Sequence, residues 1–296
     1  MMTIPSFHLF VQTLILGLLV GGVYALMASG LTLIFGVMRV INVAHGAFLI
    51  LGAYLTYELF QNFQIDPIAS ILITMPVFFV VGWILQRYML SRIANPEKTS
   101  VLVTFSLALV MEGLLGIIFQ TTARSVTPSY TSEALMFATY RFPITRLIGF
   151  GVALLIILLL YLILQYTNLG RAIRATTQDP RAAQLMGINT SMISAFTFAL
   201  GLSTAAAGGS LLSIIYSFNP SSQADWIGRT LSIIVLGGMG SIPGALIAAL
   251  ILGVMEQMTA IVITLYWSPI VFYFFLFFTL IIRPQGLMGE IIREKG

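Results

Sequence analysis

The chain has 296 residues, of which 58% are hydrophobic and only 8% charged, with a net charge of +4, no cysteine and two histidines. Soluble domains carry about 25% charged residues, so this chain lacks the charge to cover a water-facing surface, and the bilayer must be its solvent. The same counts exclude disulfides, thiolate metal sites, cysteine nucleophiles and a histidine-rich metal centre, and they offer no dense basic stripe for nucleic acid.

In chain order, apolar runs long enough to cross a membrane predict spans over 9–30, 40–60, 67–87, 100–120, 145–166 and 192–216, a broken region over 230–264, and a last span over 268–283. The fold class is therefore all-α: a polytopic membrane protein of about eight spans, forming a single transmembrane domain over 1–296. Nothing before Arg39 is basic, so the first apolar run lacks the charged start of a cleavable signal peptide and is expected to remain as a span. Asp66-Pro67, Asn95-Pro96 and Ser268-Pro269 each place a capping side chain before a proline, which suits a helix start. Pro76 lies inside a span, and Arg283-Pro284 stops the last one.

Small residues recur every fourth position at Gly17, Gly21, Ala25 and Ser29, and again at Gly201, Ala205 and Gly209. That spacing lines one helix face and lets neighbouring backbones approach closely. Glu112 and Glu256 are ionisable residues inside apolar runs. Such groups are costly in a membrane and either line a hydrated path or tie helices together; the structural role is favoured here, although no partner can be named from sequence. His45 is expected to face the interior as a packing residue. Tyr266, Trp267 and Tyr273 suit the lipid interface.

Orientation follows from the loops. Arg39, Arg87, Arg92, Lys98, Arg171, Arg174, Arg181, Arg283, Arg293 and Lys295 fall on one side, and Arg124, Arg141, Arg146 and Arg229 on the other. The richer side is expected to be cytoplasmic, with the N-terminus outside and the C-terminus inside. Eight simple crossings would put the basic tail on the wrong side. A re-entrant segment or short extra crossing near 230–244, where the sequence reads LGGMGSIPG, restores the balance. At a constant offset of 201, FGVMRVINVAHGAFLILG overlays LGGMGSIPGALIAALILG with nine identities that include Gly36/Gly237 and Ala44/Ala245. Paired glycine- or proline-broken segments in two halves point to a transport path. The candidate path residues are Gly36, Asn42, His45, Gly237, Gly238, Gly240 and Pro243.

The loop over 167–191 carries a second signal. Asp179 can cap a short helix beginning at Pro180, and Gly187 can end it. The pattern of Ala182, Ala183 and Gly187 resembles the cytoplasmic coupling loop of ABC importer permeases, although Arg181 stands where an acidic residue often precedes the alanines. More specifically, GLTLIFGVMRVINVAHGAFLILGAY (30–54) and VLGGMGSIPGALIAALILGVME (235–256) resemble the permease subunits of branched-chain amino acid importers. The resemblance runs over nearly the whole chain. It implies a channel-forming subunit in a bacterial inner membrane that works with a second related permease, two cytoplasmic ATP-binding subunits and an external solute-binding protein. It also implies an ATPase-coupling role for Asp179, Pro180, Ala182, Ala183, Leu185, Met186 and Gly187.

The chain is not expected to be an enzyme or to hold a cofactor. The only lysine followed by Ser or Thr is Lys98-Thr99, and Arg92 and Glu97 occupy the positions where a phosphate-binding loop needs glycine. The function expected is ATP-driven import of branched-chain or related amino acids by alternating access. The alternatives are a gradient-driven carrier or a passive channel for a small polar solute such as urea or an amide.

Overall fold

The structure, a computed structural model, describes residues 7–93, 96–137 and 139–289, with the side chains of 96–98 left aside. Asn95, the side chain of Lys98, Arg293 and Lys295 fall outside what is described.

The described residues form α1 (Phe7–Met38), α2 (His45–Phe63), α3 (Pro67–Tyr88), α4 (Pro96–Phe119), α5 (Ile144–Tyr166), α6 (Asn168–Gln178), α7 (Pro180–Leu185), α8 (Thr190–Ile215), α9 (Ser222–Gly237), α10 (Ile242–Val262) and α11 (Ile270–Ile282). One antiparallel hairpin, β1 (Ala134–Phe137) and β2 (Tyr140–Pro143), interrupts the helical pattern between α4 and α5. Seven helical stretches are long and apolar enough to cross a membrane, and the chain is a polytopic all-α membrane protein. Beside these seven, α2 and the 16-residue α9 also lie in the bundle. At 1.5 Å per residue α9 is about 24 Å long, short of the ~30 Å hydrocarbon core.

The bundle is built around α8. Its most apolar window is 89% buried inside the protein, against 22–33% for the windows in the regions of α3, α4, α5, α10 and α11. Small residues make that central place possible. Thr56, Thr74 and Ser210 join α2, α3 and α8 by buried hydroxyl contacts of 2.8 and 3.2 Å. On α1, a Cβ at Gly17 would meet Val254 Cα at 2.5 Å, and one at Gly253 would meet Gly17 O at 2.6 Å. The small-residue face of α1 therefore packs backbone to backbone against α10, and the two helices run antiparallel.

The helix starts sort by local chemistry. Asp66 accepts from Ile68 N–H at 2.8 Å, with Pro67 as the first helical residue. Ser268 does not cap: its hydroxyl donates back to Leu265 O at 2.9 Å within a 3-10 turn, and α11 begins at Ile270. The span expected from residue 40 begins at His45, because α1 runs on to Met38 and the chain then turns at Arg39, whose φ is +52°. That left-handed residue closes α1, its N–H donating to Phe35 O at 2.8 Å.

The broken region of 230–264 is an antiparallel pair, α9 and α10, separated by Gly238, Met239, Gly240 and Ser241. Gly237 meets Gly244 and Ala245 across the pair, and Gly238 and Gly240 have φ of +100° and +91°. Arg229, assigned above to an outer loop, lies inside α9. Arg146 likewise lies inside α5, in its first turn.

Candidate functional site

The two segments related by the offset of 201 both fold as helix, break, helix. In space the breaks meet: a Cβ at Gly36, near the end of α1, would lie 3.4 Å from Gly240 Cα. Of the candidate path residues, Gly36, Gly237, Gly238 and Gly240 gather at this junction. Pro243 sits in the first turn of α10, where Ser241 accepts from Gly244 N–H at 3.2 Å. The chain beyond α11 closes the junction, Leu287 N–H donating to Leu236 O at 2.8 Å and Met288 N–H to Gly237 O at 3.0 Å.

Asn42 lies in the other break, and His45 is the first residue of α2. Both are fully buried. His45 Nε2 donates to Met27 O at 2.9 Å in the middle of α1, whereas its Nδ1 and both side-chain polar atoms of Asn42 have no hydrogen-bond partner among the described residues. The break is held against α4 by Val43 N–H donating to Thr104 Oγ1 at 3.1 Å.

The two intramembrane carboxylates have partners that the sequence did not disclose. Glu112 on α4 accepts from Gln223 Nε2 on α9 at 3.0 Å. Glu256 on α10 is buried and forms an ion pair with Arg229 at 2.5 Å. Tyr24 donates to its second oxygen at 2.5 Å and lies 2.8 Å from the Tyr216 hydroxyl. The Arg229 guanidinium stacks over Trp226 at 4.8 Å and Phe272 at 5.2 Å. One buried network thus joins α1, the end of α8, α9, α10 and α11. A signal was present: Arg229 is a lone basic residue in the otherwise apolar run WIGRTLSIIVLG, and Glu256 waits in the next span. A charge inside a membrane seeks a charge of the other sign.

The 167–191 region forms α6, which sequence reading did not separate, followed by α7. Thr167 caps α6 through Gly170 N–H at 3.1 Å. Asp179 caps α7, accepting from Arg181 N–H at 2.9 Å and Ala182 N–H at 3.1 Å, with Pro180 as the first helical residue. Gly187 follows with φ of +83°, and its N–H closes on Gln184 O at 2.9 Å. Ala183 is buried, while Leu185 and Met186 are 89% and 82% exposed. A cleft between the two halves of this region is lined by Val37, Met38 and Arg39 on one side and by Thr177, Gln178, Asp179 and Pro180 on the other. The end of α1 therefore abuts the elbow between α6 and α7.

The chain is similar to the high-affinity branched-chain amino acid transport system permease protein LivH of Salmonella typhimurium, at 27% identity over 98% of this chain and 99% of that protein. It is similar to the corresponding permease protein BraD of Pseudomonas aeruginosa, at 28% identity over 98% and 99%. Among solved structures, PsaBC from Streptococcus pneumoniae in complex with Fab superposes with a TM-score of 0.51 at 13% identity, covering 95% of this chain and 94% of that one. At that identity the likeness speaks for the fold alone. Residues 13–282 match the family described as the permease component of branched-chain amino acid transport systems, and with its paired breaks and membrane-spanning bundle the chain belongs to that family.

Proposed function

We propose that this permease component imports branched-chain or closely related amino acids, driven by ATP hydrolysis in separate cytoplasmic subunits. Its expected assembly contains a second related permease, two ATP-binding subunits and an external solute-binding protein. In this reading the 167–191 region and the tail beyond α11 face the cytoplasm of a bacterial inner membrane, and residue 7 lies outside.

The observation that carries the proposal is α7. Two large apolar side chains, Leu185 and Met186, stand exposed on a short helix whose start is fixed by Asp179 and Pro180 and whose inner face is anchored by Ala183. An exposed apolar knob on a rigid loop suits a groove on a partner. The cleft shared with Val37, Met38 and Arg39 supplies a route inward. A push on α7 would act on the end of α1 and so on the break that carries Asn42 and leads to His45. In our mechanism that displacement separates the paired breaks at Gly36 and Gly240 in one state and closes them in the other, giving alternating access. Relatives named for branched-chain amino acids span nearly the whole chain and support the solute class. A gradient-driven carrier is the second reading; of the two intramembrane carboxylates it could use, Glu256 is tied to Arg229 and Tyr24 and Glu112 to Gln223.

The test is reconstitution of the permease pair in liposomes with its co-purified ATPases and loaded binding protein, following radiolabelled L-leucine. Uptake should require ATP and survive ionophores; uptake without ATP, or abolished by a protonophore, would overturn the reading. Leu185→Asp should release the ATPases and lower uptake by roughly tenfold or more, as expected for loss of a central apolar anchor. Pull-down of the ATPases reports the first effect directly.

A further inference from the structure

From the start of α2 we infer a binding subsite for the carboxylate of the solute, formed by the Gly46 and Ala47 amides with the Asn42 side chain. This rests on the amino acid reading above and says where one end of the molecule is held.

Every helix start presents amide donors that need acceptors. At α2, His45 N–H donates to Asn42 O at 3.1 Å and Phe48 N–H to Ala44 O at 3.0 Å, and no acceptor is found among the described residues for Gly46 and Ala47 N–H. Ala44, at the cap position, offers no side-chain oxygen. At a surface, water would satisfy those donors. Here Asn42, Ala44, His45, Gly46 and Ala47 are all buried. Two residues before the cap, in the same turn, both side-chain polar atoms of Asn42 lack a partner among the described residues; His45 Nε2 donates to Met27 O, which leaves its Nδ1 an acceptor.

A buried polar group left unsatisfied costs about 1–3 kcal/mol, and natural proteins retain such groups mainly where they serve a function. The Asn42 side-chain NH2 and two backbone amides at the positive end of a 19-residue helix suit an anion. A carboxylate is the anion that an amino acid brings. The complementary end has its own place close by. The start of α2 abuts the first turn of α9, a Cβ at Gly46 falling 2.4 Å from Gln223 O. Gln223 carries a buried Oε1 without a partner among the described residues and holds the Glu112 carboxylate through its Nε2. These acceptors suit an ammonium. A zwitterion therefore has a donor cluster on α2 and acceptors on α9 and α4, and admitting it requires α2 and α9 to part.

The test is Asn42→Leu in the full importer, reconstituted with ATPases and binding protein. An apolar residue of similar size removes the unsatisfied amide, so a purely structural Asn42 predicts equal or greater thermal stability and unchanged uptake. The subsite predicts intact assembly and L-leucine uptake reduced about tenfold, the size expected for one hydrogen bond to a charged group. A second measurement guards against misfolding: saturation-transfer NMR on the wild-type complex in nanodiscs, without binding protein, should detect L-leucine and not L-leucinamide. Equal signals from the two compounds, or uptake by Asn42→Leu within twofold of wild type, would overturn the subsite. Wild-type complex that takes up no L-leucine with ATP would instead overturn the amino acid reading.

Discussion

Arg229 and Glu256 stand 2.5 Å apart in the bundle, and their worth lies in the penalty for separating them. Removing one partner of a buried pair leaves the other charge uncompensated, at a cost of about 3–5 kcal/mol. Arg229→Ala should therefore be severely destabilising, since it strands a carboxylate that only Tyr24 then contacts. Glu256→Gln should be milder, because the amide oxygen still accepts from a donor. Thermal unfolding of the assembled importer in nanodiscs measures the order; equal effects would show that the pair is not what holds α9 to α10. Sequence reading found Glu256 and favoured a tie between helices, but it missed every partner. The contacts join positions 27 and 232 residues apart, and only the folded bundle brings them together.

At the scale of elements, α1 and α10 depend on glycine where their backbones touch. Gly17→Leu would force a side chain into Val254 Cα, and overpacking of this kind costs about 1–3 kcal/mol or more. Gly151→Leu on α5 meets nothing within 4 Å and should be tolerated. Yield of monodisperse protein and its melting temperature distinguish the two variants. The four-residue spacing of small side chains made this face legible beforehand, because periodicity is a local property of the chain. Asp66 and Asp179 were legible for the same reason: a cap reaches only two or three residues ahead. Ser268 misled because its hydroxyl had an equally local alternative in Leu265 O, and nothing in the dipeptide Ser-Pro decides between them. The candidate path was read from glycines and a repeat, and the structure adds that the two breaks touch. Gln223, which abuts the start of α2 and holds Glu112, carried no sequence signal, since glutamine in a helix start is unremarked by composition or spacing.

For the whole molecule, the break between α9 and α10 is completed from far along the chain. Gly286, with φ of +72°, turns the segment after α11 so that Leu287 and Met288 donate to the last carbonyls of α9. A chain ending at Gln285 should lose both bonds, worth together about 2 kcal/mol at typical net values, and melt at lower temperature than one ending at Gly289. The order of synthesis gives this clasp a further meaning. Leu287 and Met288 follow α9 and α10 in the chain, so both helices are synthesised before the two donors to the Leu236 and Gly237 carbonyls exist. Their junction reaches its final form only once the segment through Met288 has been made, and a chain stopped at Gln285 would carry α1 to α11 around a junction that lacks its clasp.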